Sequence, residues 1–138
     1  MKDEQFITTV EKIINNDPRF SEEAYEFISD AVIYTTQRIE KKANTTRHIS
    51  GQELLEGIKH FAISQFGPLT QEVLATWGIT DTISIGHIVF NMVDHHLLGS
   101  TEEDSIDDFK NGFDFNTAFT APFTPDETKK TTPPVIDL

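Results

Sequence analysis

The chain has 138 residues, no cysteine, 23 acids and 11 bases, for a formal charge of −12. That length is expected to make one domain with a real core, and the missing cysteine excludes disulfides, thiolate zinc sites and cysteine nucleophiles. The acids are unevenly placed: residues 1–75 hold 12 acids and 8 bases, residues 76–138 hold 11 and 3, a field that repels phosphate backbones.

The start, Met1-Lys2-Asp3-Glu4, leads into no apolar run of signal-peptide length. Nowhere do 18 apolar residues follow one another, so no membrane span is expected. A cytoplasmic location fits the cysteine-free composition.

A first helix is expected over residues 3–15, because Phe6, Ile7, Val10, Ile13 and Ile14 recur at helical spacing. Asn15-Asn16-Asp17-Pro18 ends it. A second helix starts near Ser21, with Glu22 and Glu23 in its first turn. Its inner face runs Ala24, Phe27, Ile28, Ala31, Val32, Thr35 and Ile39, flanked by Tyr25 and Tyr34. Residues 38–42 make a basic end that suits the helix dipole.

The third helix carries the clearest signal. Ser50 and Glu53 form a capping box, and Ile49 and Leu54 a hydrophobic staple over it. Leu54, Leu55, Ile58, Phe61, Ala62 and Phe66 give its apolar face. Gly67 lets the chain leave with positive φ, and Pro68 opens a short fourth helix over residues 68–76. Thr80 or Thr82 caps a fifth, with Ile85, Ile88, Val89, Met92, Val93 and Leu97 inward and Gly99 as its stop. Gly51, Gly57 and Gly86 fall inside helices, where each costs about 1 kcal/mol against alanine. Close approach of a neighbour is the expected compensation.

After Gly99 periodicity weakens. Residues 100–104 suit one or two helical turns, and Phe109, Phe113, Phe115, Phe119 and Phe123 follow among polar residues at spacings of 2 and 4. Neither strand nor long helix fits them, so a loop with aromatic anchors wrapping the domain is expected. The fold class is mainly α. It is a small helical bundle with a tri-helical, helix-turn-helix-like centre over helices three to five, room for a short β-wing after Leu97, and an acidic aromatic extension. Residues 1–120 form the domain and residues 121–138 a flexible tail.

No catalytic constellation stands out, and no cofactor is expected. His48, His60, His87, His95 and His96 miss the spacing that seats zinc. A metal would need Asp94 and His95 with Glu102 or Asp104 folded back, and the acids after Thr101 lack the calcium-loop glycine. Arg47-His48 before the third helix could hold an anion. A small-molecule or metal-dependent enzyme would centre on Trp77, His87 and His95. A nucleic-acid regulator would read with residues 84–92, which hold no lysine or arginine. Only Lys41, Lys42, Arg47 and Lys59 could supply a basic stripe. The reading favoured on the residues is a noncatalytic protein-interaction or assembly module, binding another protein or its own copy. Its contact residues are Asp107, Asp108, Phe109, Phe113, Asp114 and Phe115, since rings among acids bury either in their own core or in a basic partner.

The blocks His48 to Lys59, Phe61-Ala62, Gln65 to Pro68, Val73-Leu74, Trp77-Gly78-Ile79, Ile88-Val89-Phe90, Thr101 to Ser105, Asp108-Phe109 and Phe113-Asp114-Phe115 form one pattern. Over roughly residues 21–119 it resembles a family of small conserved hypothetical proteins of Verrucomicrobia and Planctomycetes. The resemblance implies no activity. It includes the acidic aromatic segment, and it departs at Ser84 and His87, where the family's fifth helix is acidic.

Overall fold

Caps and apolar periodicity place the helices close to where the sequence puts them. The computed structural model describes residues 3–43, 49–99, 105–110 and 112–123. The α-helices are α1 (Glu4–Asn16), α2 (Glu22–Ala43), α3 (Gly51–Phe66), α4 (Thr70–Thr76), α5 (Thr82–Asp94) and α6 (Phe115–Thr120). Short 3-10 turns occupy Gly67–Leu69, Ile106–Phe109 and Ala121–Phe123.

Asp3 caps α1 by accepting the Phe6 N–H at 2.8 Å. The Ser50–Glu53 capping box forms in both directions, each bond 3.2 Å. Gly67 leaves α3 at φ 53°, as expected of a residue without a Cβ. The expected fourth helix divides: Gly67–Leu69 winds as 3-10 and α4 begins at Thr70. There the fully buried Thr70 hydroxyl donates to Gly67 O at 2.6 Å.

Two boundaries of α5 differ from expectation. Its cap is Asp81, whose Oδ1 accepts from Ser84 N at 2.8 Å and Ser84 Oγ at 2.7 Å. Thr82 is buried instead, one residue inside. The helix ends at Asp94, and the residue that turns the chain away is His96, not Gly99. His96 takes φ 62°, its N–H bonds Val93 O, and the Leu97 N–H reaches back to Met92 O. This is a Schellman closure with a histidine in the left-handed position that glycine usually takes.

The 22-residue α2 is the spine of the bundle and packs on α1, α3 and α5. It buries Ala24, Tyr25, Phe27, Ile28, Ala31 and Thr35. Tyr25, expected at the flank, is wholly enclosed. A Cβ on Gly57 would fall on Thr35 Oγ1 and lie 2.7 Å from Thr35 Cβ. The missing side chain is what lets α3 lie this close to α2. Thr35 satisfies its own hydroxyl on Ala31 O at 2.8 Å, so it can face the glycine without a buried unpaired group.

The β-wing expected after Leu97 is not there: no strand occurs among the described residues. Residues 106–109 and 115–123 make helical turns instead. Ser105 and Asp108 form a second capping box, and Asp114 caps α6. Phe115 and Phe119, four residues apart, share the buried side of α6, whereas Phe123, in the 3-10 turn that follows, is exposed. The wrapping loop is thus a chain of short helical turns. Residues 100–104 lie outside the described residues, as does the expected tail beyond Phe123.

The helix-turn-helix-like centre also gives way. A recognition helix must offer a face to a groove, yet α5 buries Ser84, Ile85, Gly86, Ile88, Val89 and Met92. The turn Ile106–Phe109 packs against both α3 and α5.

Overfilling a close contact forces shifts that cost about 1–3 kcal/mol. Gly57→Ala should therefore lower unfolding free energy by about that much. Gly99→Ala, with no atom of the described residues near enough to meet a Cβ, should change it by less than about 0.5 kcal/mol. Urea denaturation of both variants measures the contrast.

Candidate docking surface

Residues 105–123, here the strap, lie along α3 and end on α4. Two glycines on different helices admit it. A Cβ on Gly51 would meet Asp108 Cβ at 2.6 Å, and one on Gly86 would meet Phe109 Cβ at 2.7 Å. Backbone bonds then hold it in register. Thr82 Oγ1 donates to Phe109 O at 2.6 Å and accepts from Gly112 N at 3.2 Å, and Gln52 Nε2 donates to Asp108 O at 2.9 Å. The close approach expected for Gly51, Gly57 and Gly86 is present at all three.

Of the expected contact residues, Phe109 and Phe115 are buried in this chain's own core, as is Phe119, which was not one of them. Phe109 meets Phe90 edge-on at 6.1 Å. Phe113 stacks on Phe115 at 5.6 Å, and Phe119 closes edge-on against both. Phe113 keeps one side half-exposed, with Lys59 Nζ 5.5 Å from its centroid. Phe109, Phe115 and Phe119 are therefore spent on the fold, while Phe123 stays exposed. The acids are not enclosed with them. Asp107 is exposed and pairs with Lys110 at 2.8 Å, and Asp114 is exposed at the cap of α6. The Thr117 N–H holds the Asp114 carboxyl below its ordinary range. Asp108 is half-buried and bonds back to the Ser105 N–H.

Beside the strap, α2 and α3 border an open groove of about 580 Å³. Arg38, Ile39 and Lys42 form its α2 wall, and Glu53, Glu56 and His60 its α3 wall. Gln52 belongs to both features, lining the groove and bonding the strap. The wall acids are already engaged: Glu53 caps α3, and Glu56 pairs with Lys59 at 2.7 Å. Among the described residues no carboxylate pairs with Arg38 or Lys42; Arg38 reaches only the Tyr34 hydroxyl, at 3.5 Å. The sequence signal for this wall was the four-residue spacing of Arg38 and Lys42, which puts both on one helix face.

The structure does not gather the alternative sites. Trp77 packs among Phe27 and Phe66, both at 5.6 Å. His95 turns its Nδ1 onto Asn91 O at 2.9 Å, and His87 sits half-buried on α5. No group of three or more histidines and acids among the described residues could hold a metal ion. Arg47 and His48 lie outside the described residues, as do Glu102 and Asp104. No helix among the described residues is long and apolar enough to cross a membrane.

A polar node that sequence reading missed joins three segments. Asp17 holds Arg19 through two bonds of 2.8 and 2.7 Å. Asn91 spends one amide hydrogen on Asp17 Oδ2 at 3.0 Å and one on the Tyr25 hydroxyl at 3.1 Å. Arg19 first, then Asn91, hold the Asp17 carboxyl far below its ordinary range, and burial pushes the Tyr25 hydroxyl up.

Thr82→Val keeps the shape but strands Phe109 O and Gly112 N, which should cost about 1–3 kcal/mol. Amide exchange should quicken across residues 106–119 while α2 keeps its protection. Asn91→Ala should cost about 1–3 kcal/mol by leaving the enclosed Tyr25 hydroxyl unpaired and removing one of the bonds to Asp17. Because the folded pKa of Asp17 is depressed, its stabilisation is complete above pH ~4. It is lost as the pH falls toward the folded value. Asp17→Asn should therefore lose more stability at neutral pH than at about pH 3, read as the shift in urea midpoint against the parent chain.

No family model matches the chain, and neither a curated protein nor a solved structure matches it, so the surface is understood from its own residues.

Proposed function

We propose that this chain is a noncatalytic protein-binding or assembly domain, whose strap offers its outer acidic face to a basic partner surface. One observation carries this: Phe109, Phe115 and Phe119 of the strap are drawn inward while Asp107 and Asp114 stay outward on a backbone held by Thr82 and Gln52. A face held in place before binding loses little further freedom on association. Charge complementarity then supplies rate and selectivity. The partner role of Phe109 and Phe115 passes to the acids beside them and to the open side of Phe113. A charge of −12 opposes a nucleic-acid partner. The cysteine-free composition fits the cytoplasmic setting that forms part of this proposal.

A fluorescent lysine-rich peptide should bind the chain, and the affinity should fall as salt is added. Asp107→Asn should weaken that binding several-fold, while Gly99→Ala leaves it unchanged. Equal binding of a glutamate-rich peptide, or indifference to Asp107, would refute the proposal.

A further inference from the structure

The α2 wall of the groove beside the strap, with Arg38 and Lys42, carries the opposite sign. Its two α3 acids are engaged, at the α3 cap and on Lys59, whereas Arg38 and Lys42 face it without a carboxylate among the described residues. Arg38 and Lys42 stand one helical turn apart, both exposed, on the same wall. A cationic wall bordering an open space attracts an acidic segment.

The acidic strap adjoins this wall. Gln52 lines the groove and bonds Asp108 O, so a positive patch and a negative patch meet along one stretch of α3. A rotation of 180° about an axis through that junction lays each patch of one molecule on the opposite patch of a second. Contacts made in this way occur twice and close on themselves, which limits assembly to a pair. We propose that the α2–α3 groove receives the acidic strap of a second copy, Asp107 lying toward Arg38 and Lys42, in a two-fold dimer. This rests on the strap being a contact face, and it names the partner as the chain itself.

The contact joins exposed charges, so it weakens with salt. Repulsion between two acidic molecules limits its strength, and it assembles best where screening leaves the short-range pairs and mutes the net charge.

Light scattering and sedimentation of the whole chain, over a range of concentration and salt, test this. The expected result is a dimer that dissociates at high salt and never grows beyond two. Arg38→Glu with Lys42→Glu should raise its dissociation constant about tenfold or more, and Asp107→Lys should do the same. Circular dichroism should show both variants as helical as the parent, since all three side chains are exposed. Mixing the two variants should restore dimers, because the reversed groove of one then meets the reversed strap of the other, and the unaltered patches meet as well. A chain monomeric at every condition overturns the dimer, as does a dimer indifferent to these charges or an unrescued mixture. The lysine-rich peptide separates the two proposals. A monomer that still binds it through Asp107 loses only the second copy as partner.

Discussion

Two missing side chains, at Gly51 and Gly86, let one turn of backbone enter between α3 and α5. A methyl group at either place would collide with Asp108 or Phe109, and neither obstacle is the free end of a flexible side chain. Once the turn is seated, the Thr82 hydroxyl pairs with backbone on both sides of it. That fixes the direction in which the chain leaves, and Phe113, Phe115 and Phe119 are carried to the side of α3 and the end of α4. The cost of two helical glycines, about 1 kcal/mol each, is set against the burial of Phe109, Phe115 and Phe119, each worth roughly 1.5–3 kcal/mol.

A second contact of the same kind holds the spine. Gly57 and Thr35 bring α2 and α3 together, and the polar node of Asp17, Tyr25 and Asn91 ties α2 to α5. The node satisfies its members: both Asn91 amide hydrogens are used, and both Asp17 oxygens accept. A buried polar group of this sort adds little net stability while complete, but leaving a member unpaired is expensive. Its effect is to set the register of α5 against α2, which in turn places Gly86 opposite the strap.

The charge pattern follows from that packing. Rings and acids alternate along the strap, so withdrawing the rings leaves carboxylates on the outside. On α2 the acids gather at the first turn and the bases at the last, as the helix dipole favours. The close α2–α3 approach then brings the basic end of α2 beside the acidic strap. The two signs adjoin because Gly57 and Gly51 lie on one helix, six residues apart.

Local chemistry alone was enough for much of this. Helical spacing located α1, α2, α3 and α5; Ser50 and Glu53 marked a capping box that forms; three glycines marked close approach. These signals act within a few residues of chain, so they are legible without a fold. Helix ends were less so: Asp81 caps α5 where Thr80 or Thr82 was expected, and His96 takes the left-handed turn expected at Gly99. The strap was read as an irregular loop, and a β-wing was expected where helical turns stand, because six-residue helices such as α6 are stabilised by what they pack on and not by propensity. Which rings lie inward, that Tyr25 is enclosed, that Asn91 reaches Asp17 across 74 residues, and that Arg38 and Lys42 border a groove next to the strap are decisions of the tertiary structure. Each depends on helices distant in sequence meeting at a particular depth, and that depth is set by the joint absence of side chains on both sides of a contact.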